Sequence, residues 1–87
     1  MGLETVEIVL WAEEEFGVSM PDEEVGGIFT VGEFSEYIGE KVDSTLEISI
    51  SRGDILGKIT DLLANDYGIE RDKIKPSSKF VQDLGLD

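Results

Sequence analysis

Over the first seventeen residues, apolar positions return every three or four. Leu3, Val6 and Leu10, with Val9 and Phe16 one register over, fall along one side of a helix, while Glu4, Glu7, Glu13, Glu14 and Glu15 fill much of the rest of its circumference. The pattern predicts an amphipathic helix over residues 3–17, its apolar side turned to a core and its other side a wall of carboxylates, ended by Gly17 in a left-handed turn. On periodicity alone such a wall is a solvated surface face. Pro21 holds Met20 extended, and Asp22, Glu23 and Glu24 follow where the positive end of a new helical turn favours acids, which predicts a short helix before Gly26-Gly27. Thr30 and Glu33 have capping-box spacing ahead of Phe34, Tyr37 and Ile38, so a second full helix is expected over residues 31–42, its aromatics in the core.

The period changes over residues 43–50. Leu46, Ile48 and Ile50 alternate with Thr45, Glu47 and Ser49 in a strand pattern, yet no other stretch alternates well enough to pair with it. The expectation is an extended connector that lays its apolar side on the bundle, with pairing to its twin in a second molecule as the alternative. Residues 51–68 return to helical spacing. Ser51 and Asp54 resemble a capping box whose acid is one methylene short, and Ile55, Ile59, Leu62 and Leu63 form a buried stripe. Gly57 costs this helix about 1 kcal/mol relative to Ala, and Gly68 ends it. Residues 69–87 read as a long ordered loop pinned by Ile74, Phe80, Val81, Leu84 and Leu86. Together these elements predict an all-α fold: a small bundle of three long helices and one short helix in a single domain spanning residues 1–87.

Composition sharpens this picture. A chain of 87 residues buries roughly 60% of its unfolded surface, enough for one core with little stability to spare. A hydrophobic content of 40% with clear periodicity argues against disorder, but the net charge of −13 strains any compact state. The charge is lopsided: twelve of the twenty acids stand in residues 1–43, where Lys41 is the only base, so the first half is an acidic pole. Such a field repels nucleic acid and anionic membrane and attracts basic protein surfaces. No apolar run approaches membrane-spanning length and no signal-peptide pattern opens the chain, so a cytoplasmic location is expected.

The chemistry is restricted in the same way. There is no histidine, no cysteine and no glycine-rich phosphate loop, which removes Ser-His-Asp and Cys-His catalysis, zinc sites and P-loop chemistry. The carboxylates lie on polar faces, where nothing separates their pKa values for acid–base work, and none has calcium-hand spacing. The expectation is a protein that is not an enzyme, with no resident metal.

A resemblance appears when the two ends are read as joined. Residues 55–87, ILGKITDLLANDYGIERDKIKPSSKFVQDLGLD, continued into LETVEIVLWAEEEFGVSMPDEEVGGIFTVGEFSEYIGEKV from Leu3 onward, resemble an acyl carrier protein in circularly permuted order. The matching blocks cover all of the chain except Met1, Gly2 and the connector. The resemblance implies that residues 1–42 hold the family's helices II to IV, that 43–50 are a fused connector, and that 51–87 hold helix I and the long loop. Eight extended residues reach roughly 25 Å, enough to join the ends of the first and last helices. In the family, a serine between Asp and Leu carries 4′-phosphopantetheine. Here Asp87 matches the aspartate and Leu3 the leucine, while the serine position falls on Gly2, so no attachment oxygen is present and no cofactor is expected. The resemblance further implies that Glu4, Glu7, Glu13 and Glu14 meet basic surfaces of carrier-protein-dependent synthases and transferases of fatty-acid or polyketide biosynthesis, with Leu10 making apolar contact. Alternatives are a working carrier modified at Ser44, where Asp43-Ser44-Thr45-Leu46 loosely echoes the motif, and an unrelated acidic binding module or inhibitor. A monomer is expected, with a swapped dimer as the alternative.

Overall fold

The computed structural model describes residues 3–86. Its helices are α1 (Leu3–Phe16), α2 (Asp22–Val25), α3 (Val31–Leu46) and α4 (Arg52–Asp66), followed by a 3-10 turn at Arg71–Lys73. Among the described residues there is no strand, only an isolated bridge between Thr30 and Lys79. The chain is therefore an all-α bundle of three long helices and one short one, as the periodicity predicts.

The core is built on α3 and α4, which pack most extensively on each other. Ile38 and Val42 from α3 and Ile55, Ile59 and Leu63 from α4 are completely buried. Burial of each such side chain is worth about 1.5–3 kcal/mol. Phe34 meets Phe80 of the C-terminal loop edge to face, with ring centroids 5.9 Å apart. Of the five apolar residues expected to pin that loop, Ile74, Phe80 and Leu86 are buried and Leu84 is half-buried. Val81 is not an anchor: it is 58% exposed.

α1 enters the core by a different face from the one expected. Thr5, Ile8, Ala12 and Phe16 are buried and Val9 packs partly against them, whereas Leu3, Val6 and Leu10 are 74%, 40% and 54% exposed. At about 100° per residue the two stripes lie roughly 150° apart around the helix. The buried stripe contains a threonine and an alanine and so looks weaker in sequence.

The second correction concerns the connector. α3 does not stop at Val42 but runs on through Asp43, Ser44 and Thr45 to Leu46, where Glu47 at φ 56° takes the left-handed capping conformation. The stretch between the helices shrinks to residues 47–51. It does not lay an apolar side on the bundle, since Leu46 and Ile48 are 41% and 52% exposed and only Ile50 packs against the core. Helical hydrogen bonding over Asp43 to Leu46 outweighs an alternating pattern that has no partner strand to reward it.

The start of α3 shows how the long loop is anchored. A helix leaves its first four N–H groups without intrahelical acceptors. Here Val31 N–H donates to the Ser78 carbonyl at 3.0 Å and Gly32 N–H to the Pro76 carbonyl at 2.8 Å, both from the loop. The Thr30 hydroxyl accepts from Glu33 N–H at 3.1 Å and the Thr30 carbonyl from Phe34 N–H at 3.1 Å. Glu33 completes the capping box by accepting from Thr30 N–H at 2.9 Å. At α4, Ser51 Oγ accepts from Gly53 and Asp54 N–H, but Asp54 makes no reciprocal bond, as its shorter side chain predicts.

Candidate recognition face and cavity

The geometry sorts the carboxylates of α1 by what they touch. Glu7 accepts a hydrogen bond from the Tyr67 hydroxyl at 3.1 Å, tying α1 to the end of α4. Glu13 accepts from Met20 N–H at 2.7 Å and so holds the chain that leaves α1. Glu4 is half-buried, and Glu14 is exposed. Burial and the bond to Glu7 push the Tyr67 phenol above its ordinary value, with Glu4 and Asp66 adding to the effect. Two of the four acids expected to meet a partner thus also fasten the fold.

Leu10 is exposed, as a contact residue must be, and the structure adds residues that sequence reasoning assigned elsewhere. Leu3 and Val6 stand beside it in the exposed stripe. Val6, Val9 and Leu10 floor a shallow groove of about 400 Å³ with Met20 and Pro21, and Glu13, Asp22 and Glu23 stand at its rim. Asp22 and Glu23, read in the sequence only as helix-starting acids, are carried to the α1 face by the turn at Gly17, whose φ is +70°. Nothing in the periodicity announces that juxtaposition.

On the core side of α1 lies an apolar cavity of about 230 Å³. Ile8 and Val9 of α1, Val25 of α2, Phe34 of α3 and Phe80 of the loop are among its lining residues. Thr5, in the first turns of α1, and Val81, near the other end of the chain, also line it, so the two ends of the described chain approach one site. Phe29 stands in its wall at 63% exposure.

The attachment position of the resemblance, Gly2 between Asp87 and Leu3, has Gly2 and Asp87 outside the described residues. Within α1 the single hydroxyl is Thr5, which is buried. Ser44 lies in the last turns of α3, exposed, its hydroxyl donating to the Lys41 carbonyl at 3.4 Å. It is roughly 15 Å along the helix from Phe34 in the cavity wall, at 1.5 Å per residue. Among the described residues that line the cavity, Thr5 carries the hydroxyl, and Ser44 does not line it.

The fold and surface define a class: a small acidic helical bundle with an exposed apolar stripe set among carboxylates and an apolar cavity beneath it. No protein-family model matches the chain, and no solved structure matches it. Among the described residues no helix is long and apolar enough to cross a membrane.

Proposed function

We propose that this chain is an acyl-carrier-like recognition domain in permuted order, read by basic enzymes of fatty-acid or polyketide-type biosynthesis and carrying no phosphopantetheine itself. The observation that carries the reading is the exposed stripe of Leu3, Val6 and Leu10 on a helix whose core face is fully occupied by other residues. An apolar stripe bordered by Glu14, Asp22 and Glu23 suits a partner with aliphatic and cationic side chains, because the carboxylates steer the approach and the stripe supplies desolvation. The resemblance names such partners, and the approach of Thr5 and Val81 to one cavity supports joining the ends as it requires. Gly2 at the serine position offers no oxygen for the arm. A cytoplasmic monomer belongs to the same proposal.

Two measurements test it. Titration against a purified carrier-protein-dependent synthase by calorimetry should give salt-sensitive binding that Leu10→Ser and Glu14→Lys each weaken about tenfold or more, the loss expected for a contact near the centre of an interface. Binding that is indifferent to both substitutions would remove the α1 face from the proposal. Intact mass after incubation with a phosphopantetheinyl transferase and coenzyme A should show the unmodified chain. An added arm, at Ser44 or elsewhere, would establish a working carrier instead.

A further inference from the structure

α3 packs against both α1 and α4, but α1 and α4 meet each other less closely. Two side-chain bridges span the space between them. Lys58 reaches Glu15 at 3.2 Å, and the Tyr67 hydroxyl reaches Glu7 at 3.1 Å. Glu7, Trp11 and Glu15 follow one another at four-residue steps on α1, so Trp11 shares their side of the helix and lies between the two bridges. With Leu62 of α4 it lines a groove of about 260 Å³, both side chains half-buried and resting on the core. None of the residues lining this groove belongs to the exposed stripe or to the shallow groove beside it.

The two ends of the groove are supplied differently with charge. A helix C-terminus carries partial negative charge and favours a cation. α1 has no base in its last turn, and Lys58 supplies the cation from α4 through Glu15. α4 ends in Asn65 and Asp66, again with no base in its last turn, and there the chain supplies none. Arg71 is taken up by Asp61 at 2.8 Å, and Asp66 makes no ion pair among the described residues. The lining thus sets Glu15, Asp61 and Asp66 against Lys58. Trp11 is fixed edge to face against Phe16, with ring centroids 5.9 Å apart, so a rigid aromatic surface shares the groove with an unmatched carboxylate. That pairing suits a guanidinium, whose plane stacks on an indole while its N–H groups reach a carboxylate.

We propose that this groove docks an arginine-bearing segment of a basic protein, the guanidinium stacked on Trp11 and paired with Asp66, and an aliphatic neighbour of that arginine set on Leu62. Charge complementarity selects the occupant: a chain of net charge −13 draws basic segments toward it, and here the carboxylates outnumber the one lysine of the lining. Lys58 competes with the incoming arginine from within the groove. The surface is independent of partner recognition through Leu3, Val6 and Leu10, and either can fail while the other holds.

Trp11 is the single tryptophan, so its emission reports on the groove in the full chain. The probe is a blocked Leu-Arg-Leu peptide, compared with its citrulline counterpart, which keeps the shape and removes the charge. The arginine peptide should change Trp11 emission, and the citrulline peptide should bind about tenfold or more weakly. Asp66→Asn should weaken binding about fivefold, and Trp11→Phe, followed by calorimetry, about threefold, because a phenyl ring attracts a cation less than an indole does. Lys58→Met should tighten binding about threefold, a gain that a lysine serving only to join the helices would not give. Glu40→Gln removes an exposed acid of α3 outside the groove and should leave the affinity within about twofold. Equal losses in Glu40→Gln and Asp66→Asn overturn the groove in favour of attraction by net charge alone. Equal binding of the citrulline peptide overturns the guanidinium as the recognised group. Peptide heats without a change in Trp11 emission place the probe elsewhere and overturn the proposal, as does the absence of binding to the unaltered chain.

Discussion

At Gly32 a single missing Cβ decides how closely the long loop seats on α3. A Cβ there would stand 2.8 Å from the Pro76 carbonyl oxygen, the same atom that accepts the Gly32 N–H. Backbone cannot swing aside as a side-chain tip can, so Gly32→Ala should cost about 1–3 kcal/mol, measured as a lower urea midpoint. Gly39 gives the contrast. A Cβ there meets the guanidinium of Arg52, which moves away at the expense of exposed ion pairs with Glu36 and Asp43. Those pairs are worth about 0–1 kcal/mol each, and alanine returns roughly as much in helix propensity, so Gly39→Ala should change stability little. Two carboxylates add a pH dependence. Glu24 is held below its ordinary value by the Tyr37 hydrogen bond and then by Lys41, and Glu33 by the N–H groups of Phe29 and Thr30. A depressed folded value means stability that is present above the ordinary glutamate range and lost as pH falls through the folded value. Urea midpoints should therefore drop as pH is lowered below about 4.5, the ordinary value, and Glu33→Gln should flatten that decline. An identical acid limb in the variant would show that the capping contacts are not its source.

At the scale of elements, the capping box and the connector had opposite fates. Thr30, Glu33 and the apolar spacing after them were readable because all their partners are local, and Thr30→Ala should cost about 1 kcal/mol. The end of α3 was not readable. Asp43, Ser44 and Thr45 favour helix little, and Leu46, Ile48 and Ile50 alternate, yet an isolated strand has nothing to bond. The helix therefore continues to Leu46, and only Ile50 meets the core. Replacing Leu46 and Ile48 with serine should lower the melting temperature by no more than a few degrees and leave the size in solution unchanged, as each loses only part of a burial worth about 1.5–3 kcal/mol when complete. A dimer that dissociates on those substitutions would show that the connector serves association. Ile50→Ser should cost more than either.

For the whole molecule, the acidic pole is the dominant long-range term. The radius of gyration is 12.0 Å, close to the roughly 10 Å Debye length at 0.1 M salt, so added salt weakens repulsion across much of the molecule. Raising ionic strength should raise the melting temperature; an unchanged or lower value would mean that the twelve acids of residues 1–43 do not strain the folded state. Charge, helical class, the three long helices, the short one and most of the core were determined by the sequence alone, because each rests on composition or on contacts within a few residues. The face by which α1 enters the core was decided only by tertiary structure. That helix carries two apolar stripes, and the weaker-looking one, with Thr5 and Ala12, is the one buried. The same choice left Leu3, Val6 and Leu10 in water beside Asp22 and Glu23 and put Ile8 with Phe80 in the lining of the cavity. Those residues are distant in the chain, and periodicity records only which positions share a face, never which face another element will cover.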